Sequence, residues 1–439
     1  MEEAPDEAAR AARMTGAVRV RSWRDRRVVA VAALAMAAGF GQFGVVAALG
    51  DVARSFGRLS HGVTLADQAG LTGTKLGVGL AVIRLASLAG LPLASAADRL
   101  GRRRTLIGCV AVGLAFTALS ALSPGYWWFV VIFAVGRPFL SATNALANVC
   151  AAEETTSSDR SRAIALVAAG YGVGAGLTAF IHGLAHSALG FRGIVALTLV
   201  PLALLPLLSR KVEEPDRFAR EAGRPHMPVL AAVGPQFRGR LAVVAGLTFA
   251  LSLITGPANS FVFLYAENVV RLSGGTTSAM VALAAVTGLS GLLLGRYLAD
   301  RVGRRPAAAG SIVAMAAFGV LTYSGSRPGV IVGYVLGVLA ASTLAPAAGS
   351  FVNELFPTQV RASIAGWQIA AAVLGASTGL VLFGQVADVN HQFGTAAILT
   401  FLPALASLGL FLLLPETRGR ELEELWPSTE DDVTAKGEG

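Results

Sequence analysis

The chain has 439 residues, 54% of them hydrophobic and only 14% charged, with a mean hydropathy of +0.62. A soluble domain carries about 25% charged residues, and a soluble protein this apolar would need a larger core than single domains build. An ordinary soluble fold is therefore excluded. The net charge of +9 does not point to nucleic acid, because the basic residues sit in short runs between apolar blocks, where they report membrane topology.

Residues 1–27 read as a cytoplasmic tail, acidic first and basic from Arg19 to Arg27. Apolar blocks of roughly 20 residues follow, the length that crosses about 30 Å of hydrocarbon at 1.5 Å per residue. They predict twelve spans near 28–50, 75–97, 105–122, 126–149, 163–185, 192–209, 240–265, 276–298, 307–324, 328–351, 362–387 and 395–414. The first block could pass for a signal peptide, but its length and the spans behind it read as a retained helix. With the amino terminus inside, most of the 36 Lys and Arg fall on cytoplasmic segments, which places both termini in the cytoplasm. The segment 51–74 is polar and Gly-rich, whereas Ser123-Pro124-Gly125 is a short outer connection. The longest inner connection, 210–239, carries Arg210, Lys211, Glu213, Glu214, Asp216, Arg217 and Arg220. It would join a first six-helix bundle, 28–209, to a second, 240–415, leaving 416–439 as a charged tail. The fold class expected is an all-α membrane protein of twelve transmembrane helices in two pseudo-symmetric bundles. Cys109 and Cys150 both fall in apolar blocks, so they read as buried hydrophobes rather than a disulfide framework.

The pseudo-symmetry is written in the loops. Asp98-Arg99-Leu100-Gly101-Arg102-Arg103-Arg104 returns about 200 residues later as Asp300-Arg301-Val302-Gly303-Arg304-Arg305-Pro306. Glu153 and Arg160 return as Glu354 and Arg361, and Glu214-Pro215 finds a looser echo in Pro415-Glu416. Charged hinges recurring in step mark a tandem duplication, and in an apolar chain that is the pattern of a two-halved transporter.

These loops resemble the signature of the major facilitator superfamily, and "NELFPTQVRASIAG" (353–366), "PETRGRELEEL" (415–425) and "VEEPDRF" (212–218) look like its sugar-porter and organic-acid branch. The resemblance covers residues 28–425. It implies two six-helix bundles around a central cavity lined by spans one, four, seven and ten, working by alternating access. The chain departs from the family in several places. Ala94 and Arg296 stand where a Gly usually precedes the loop Asp, and the paired glutamines of sugar porters are absent from 248–265. An acidic residue common in span one is missing around Gln42, and residues 170–176 lack the Gly-Pro pair of drug antiporters.

At the inner hinges, carboxylates and guanidiniums can pair with neighbouring helices and helix ends. Asp98, Arg99, Arg102, Glu153, Arg160, Asp300, Arg301, Arg304, Glu354, Arg361 and Glu416 are the candidates for conformational gating. A network formed only when the inner face is shut would bias a two-state equilibrium; the plainer alternative is that it staples that face.

Polar residues that break the repeat are the candidates for substrate contact. Arg84 lies 14 residues before Asp98, about 21 Å along a helix and so near mid-membrane. Its repeat partner is Val286, and that of Arg137 is Val338. A guanidinium at the bilayer centre costs about 2.5–3.5 kcal/mol on insertion scales, so it should face water, protein or an anion. Arg137, Ser141, Asn144 and Asn148 share one helix face, as do Thr248, Ser252, Thr255 and Asn259. The cavity set is therefore Gln42, Arg84, Arg137, Ser141, Asn144, Thr255 and Asn259, with helix-to-helix packing as the competing role. No Asp or Glu sits at mid-span, which favours an anionic or strongly polar solute over a cation. His182 and His186 could titrate near neutrality, but isolated histidines near the outer end of span five read as interfacial.

Three decoys carry no chemistry. Gly39-Phe40-Gly41-Gln42-Phe43-Gly44 spells a dinucleotide fingerprint inside a span with no preceding strand, and Gly375-Ala376-Ser377-Thr378-Gly379 spells a nucleophile elbow mid-helix. The five scattered histidines offer no metal spacing, and no phosphate-binding loop is present. The expected function is a secondary active transporter for a small organic anion or polar metabolite, coupled to protons, with no enzymatic activity, cofactor or metal. Its expected partners are the solute, protons and the lipid bilayer, not nucleic acid, and it should act as a monomer. Export of a small amphipathic compound is the alternative; a non-transporting sensor or a membrane enzyme would need a soluble domain or a clustered polar site. Abundant Ala, Arg and Gly with few Lys point to a GC-rich bacterium, hence to its plasma membrane.

Overall fold

The computed structural model describes residues 22–59, 65–156, 159–214, 233–357 and 360–416. Most of both terminal tails and of the central connection lie outside the described residues. Among the described residues, eleven helices are long and apolar enough to cross a membrane, from Arg26–Ala47 to Phe393–Leu413. The missing sixth span is present but disguised. The helix Arg160–Ala196 turns back at Gly190, whose φ of 57° is not helical, and the chain runs on through Leu199–Ser209. Spans five and six thus share one tight glycine turn.

We number the spans in chain order: one, Arg26–Ala47; two, Gly73–Leu100; three, Arg102–Leu122; four, Tyr126–Glu154; five and six as just described; seven, Pro235–Ser260; eight, Gly274–Arg301; nine, Arg304–Thr322; ten, Arg327–Gly349; eleven, Ser363–Asn390; twelve, Phe393–Leu413. Polar side chains start several of them. Asp25, Thr72, Ser273 and Ser326 each accept a hydrogen bond from a backbone N–H in the first turn of the following helix.

The two halves repeat one set of helix pairings. Span one packs along five as seven packs along eleven, three along four as nine along ten, and two along four as eight along ten. Glycine makes the long pairings possible. A Cβ on Gly39 or Gly174 would lie 2.1 or 1.9 Å from a carbonyl oxygen of the facing helix, and one on Gly375 or Gly379 would lie 2.2 or 2.4 Å away. Both decoy motifs are therefore packing surfaces, and Ser377 spends its hydroxyl on the Ala81 carbonyl. Cys109 and Cys150 are buried and free, as expected.

The bundles meet through span two against eleven and five against eight, pairs that the internal symmetry exchanges. Closest approach lies away from the basic loops. Gly77 abuts the Leu380 carbonyl and Gly384 that of Gly73, while Ser278 donates to the Ala179 carbonyl at 2.8 Å. At the same end Asp388 of span eleven accepts from Gly73 N (2.6 Å), Thr74 N (2.7 Å) and Thr74 Oγ1 (2.6 Å), capping span two across the interface.

Candidate substrate cavity between the bundles

The hinge charges form two matching knots at the basic end. Gly101 and Gly303 turn the chain with φ of 98° and 118°, a region L-residues with a Cβ avoid. Beyond each turn a carboxylate caps the next helix: Glu214 accepts from the Arg102 and Arg103 backbone N–H groups, and Glu416 from those of Arg304 and Arg305 at 3.1 Å each. Arg102 also reaches Asp98 at 2.7 Å and Glu153 at 3.0 Å, while Arg304 reaches Glu354 at 2.7 Å. Glu153 therefore meets Arg102 and not Arg160, which is exposed. Arg361 donates to the Phe356 carbonyl, Arg301 bonds the Tyr297 hydroxyl, and Arg99 and Asp300 are exposed. The looser echo of Glu214 and Glu416 is the part of the repeat that does the capping, a role that spacing alone did not reveal for Glu214.

Above these knots, a cavity of about 150 Å³ lies between the bundles. The first bundle contributes Gln42, Arg84, Arg137 and Tyr171 to its wall, and the second contributes Gly256, Asn259, Ser260 and Leu380. Spans one, two, four and five thus face seven and eleven. Arg137 is buried, and its only described hydrogen bond is a long one, Nη1 to the Gln42 carbonyl at 3.5 Å; its Nε is buried with no partner. Tyr171 donates to Gln42 Oε1 at 3.3 Å. No hydrogen bond or ion pair of the Arg84 guanidinium is found among the described residues, and no carboxylate lines the cavity. Two guanidiniums without an acidic partner among the described residues make this small cavity positive. Unpaired buried charge is costly unless something of opposite sign completes it.

A second cavity of about 340 Å³ opens within the second bundle and shares Asn259 with the first. Its wall is mostly apolar, including Leu292, Met315 and Val338, with Thr255, Ser342 and Tyr334 as polar points. Together the two cavities offer a cationic end on the first bundle and a greasy end on the second.

Of the residues singled out from sequence, Gln42, Arg84, Arg137, Thr255 and Asn259 line one or both cavities. Ser141 and Asn144 do not. They lie one and two turns along span four toward the basic end, where Ser141 packs beside Gly90 and Asn144 lends its carbonyl to Asn148. Helical spacing fixed their face but not their depth. Thr248 bonds back to the Val244 carbonyl and lines a separate small cavity. Tyr171 was not anticipated, since it lies in a Gly-rich stretch whose obvious meaning is packing. The histidine expectation needs correction. His182 is fully buried, 1% exposed, and Asp51 reaches it from the short helix Leu49–Phe56 at 2.9 Å.

Residues 30–298 match the model of the Major Facilitator Superfamily, and residues 230–427 that of the Sugar (and other) transporter family. A Haemophilus influenzae protein named for metabolite transport is 24% identical over 76% of this chain and 85% of its own length. A probable 4-methylmuconolactone transporter of Cupriavidus pinatubonensis is 24% identical, covering 81% of this chain and 85% of its own. The 3-(3-hydroxy-phenyl)propionate transporter of Escherichia coli is 29% identical, covering 72% and 79%. Among solved structures, the nucleoside transporter NupG superposes with a TM-score of 0.72 at 15% identity, covering 88% of this chain and 99% of that one. The inward-open xylose transporter XylE of E. coli gives 0.67 at 18%, covering 91% and 99%. With the family model spanning residues 30–298, twelve spans in two matching bundles and the repeated basic hinges, the chain belongs to the major facilitator superfamily of membrane transporters.

Proposed function

We propose that this protein is a secondary active transporter for a small organic carboxylate, which it holds by its charged end between Arg84 and Arg137. The carrying observation is the pair of guanidiniums lining one interbundle cavity that contains no acidic residue. A carboxylate there would gain charge-assisted hydrogen bonds and neutralise a charge the fold has otherwise left exposed to low dielectric. The mostly apolar cavity beyond Asn259 supports an aromatic or cyclic body on that carboxylate. The names of two relatives, a methylmuconolactone transporter and a hydroxyphenylpropionate transporter, describe small cyclic acids of this kind.

Alternating access follows from the way the bundles meet. The basic loops face the cytoplasm by their charge, which puts both termini inside and the Asp388 cap at the outer end, in a bacterial plasma membrane. In this arrangement the outer end is closed. The knots at Asp98, Arg102 and Glu153 and at Arg304 and Glu354 would shift between the two states and so bias them. Both cavity walls come from one chain, so a monomer suffices. Uptake driven by the proton gradient would concentrate an acid that the membrane potential repels.

The test is uptake of radiolabelled 3-(3-hydroxyphenyl)propionate into proteoliposomes. Accumulation should require an inward proton gradient and collapse with a protonophore. Uptake of organic cations with no uptake of carboxylates would overturn the substrate assignment, and indifference to the pH gradient would overturn the coupling.

A further inference from the structure

A buried charged cluster at the outer end of the bundle interface lies outside the cavity. The helix Leu49–Phe56 extends span one and brings Asp51 to His182 of span five, with Nε2 and Oδ2 2.9 Å apart. Arg54 holds the other Asp51 oxygen at 2.7 Å. The second ring nitrogen of His182, Nδ1, faces Glu267 Oε1 across the interface at 3.8 Å. Neither atom has a hydrogen-bond partner among the described residues, and both are buried. Glu267 sits on a π-helical turn, Tyr265–Val269, a local irregularity often found at functional positions. Beside it, both amide atoms of Asn268 are also buried without partners among the described residues.

The protons do not balance if the imidazole is neutral. A neutral ring has one N–H. Donated to Asp51, it leaves the Nδ1 lone pair facing a carboxylate oxygen; donated to Glu267, it leaves the same conflict at Asp51. Asp51, Arg54 and Glu267 sum to one negative charge, so one further proton on His182 or Glu267 both neutralises the cluster and supplies the missing donor. His186, one turn along, is a poor home for it. That ring stacks on His182 at 5.1 Å, bonds the His182 carbonyl at 3.0 Å and abuts Gly274 at the start of span eight, where the helix end is already positive. Span eight meets this part of span five through neutral groups, Gly274 against His186 and Ser278 against Gly183.

We propose that His182 and Glu267 form a proton-binding latch: closing the outer end takes up one proton, which the pair shares across the interface, and opening releases it to the outer solution. This rests on reading the two bundles as the moving parts of a transporter, and not on the identity of the substrate. Burial lifts the Glu267 carboxyl above its ordinary value of 4.5, against a smaller opposing pull from His182. The sign follows. The closed state holds the proton more tightly than the open state, where Glu267 is hydrated, so closure is favoured in acid and lost as pH rises through the raised value.

Spin labels at Leu189→Cys and Gly275→Cys, with Cys109 and Cys150 replaced by serine, report the outer separation of spans five and eight by double electron–electron resonance, with no substrate present. Between about pH 5.5 and about pH 9, the closed-to-open ratio should fall by up to about tenfold per pH unit between the open-state pKa and the raised closed-state pKa, the limit for one linked proton, and level off above the raised value. Glu267→Gln, whose amide can donate to Nδ1 without a titrating proton, should stay closed throughout. Glu267→Met, if Glu267→Gln fails to fold, removes the titrating carboxyl outright and should show no pH dependence. A wild-type ratio that does not move with pH, or a variant that titrates like wild type, overturns the latch. Failed carboxylate uptake beside pH-dependent closure would instead count against the substrate assignment alone.

Discussion

Arg84→Met removes one guanidinium from the cavity while keeping most of the side chain's apolar stem. A hydrogen bond to a charged group is worth about 1.5–3 kcal/mol, and each 1.4 kcal/mol is about tenfold in Kd. Arg137 keeps its own contact with the carboxylate in this variant, but no third cation lines the wall to replace the one that Arg84 gave. The dissociation constant for 3-(3-hydroxyphenyl)propionate should therefore rise by about ten- to 150-fold. The uncharged primary amide of the same compound controls for shape. Calorimetric titration of purified wild type should show the acid binding much more tightly than the amide, and Arg84→Met should narrow that gap by the same ten- to 150-fold, leaving about the part that Arg137 supplies. Arg84→Lys should keep the preference in part, because a point charge remains without the bidentate fork. The ligand-free variant should also melt at a higher temperature than wild type, since an unpaired cation has left the membrane interior. If acid and amide weaken equally, Arg84 shapes the cavity without reading charge. If neither weakens, the substrate is held elsewhere.

Three further outcomes test the surrounding structure. Glu214→Gln and Glu416→Gln each weaken a carboxylate cap on two backbone N–H groups, and should lower stability by about 0.5–2 kcal/mol in detergent melts; unchanged melting would mean the caps are ornamental. Asp388→Asn exchanges an acceptor-only carboxylate for an amide against three donors, so outer-end cross-linking of span two to eleven should drop while expression holds. Asp98→Asn breaks the pair with Arg102 at 2.7 Å, and should preserve carboxylate binding but slow exchange across the membrane; exchange at the wild-type rate would show that the knot only staples its bundle.

Much of the architecture was open to view in the amino-acid order because its causes are local or repeated. Hydropathy marks each span, and the Asp-Arg-x-Gly-Arg-Arg loop names its own copy. Span six was foreseen by length, although a single residue, Gly190, makes the whole turn between it and span five. Arg84 and Arg137 stood out because charge inside an apolar block has a cost that must be met by an environment. What escaped notice depends on distant partners. Asp51 and His182 are separated by 131 residues, and Glu267 comes from the other bundle, so no spacing rule could join them. Taken singly, each looked like an ordinary interfacial residue. Ser141 and Asn144 show the converse error: periodicity gives the face of a helix, while the depth of a cavity along it depends on what the facing helices leave unfilled.

The most direct measurement is a cryo-electron microscopy structure of the protein with 3-(4-iodophenyl)propionate, whose iodine and carboxylate mark opposite ends of the ligand. The carboxylate should lie within hydrogen-bonding reach of both Arg84 and Arg137, with the iodine in the apolar cavity beyond Asn259. A ligand in the reverse orientation, or one bound away from both arginines, would contradict the assignment of this cavity as the carboxylate site.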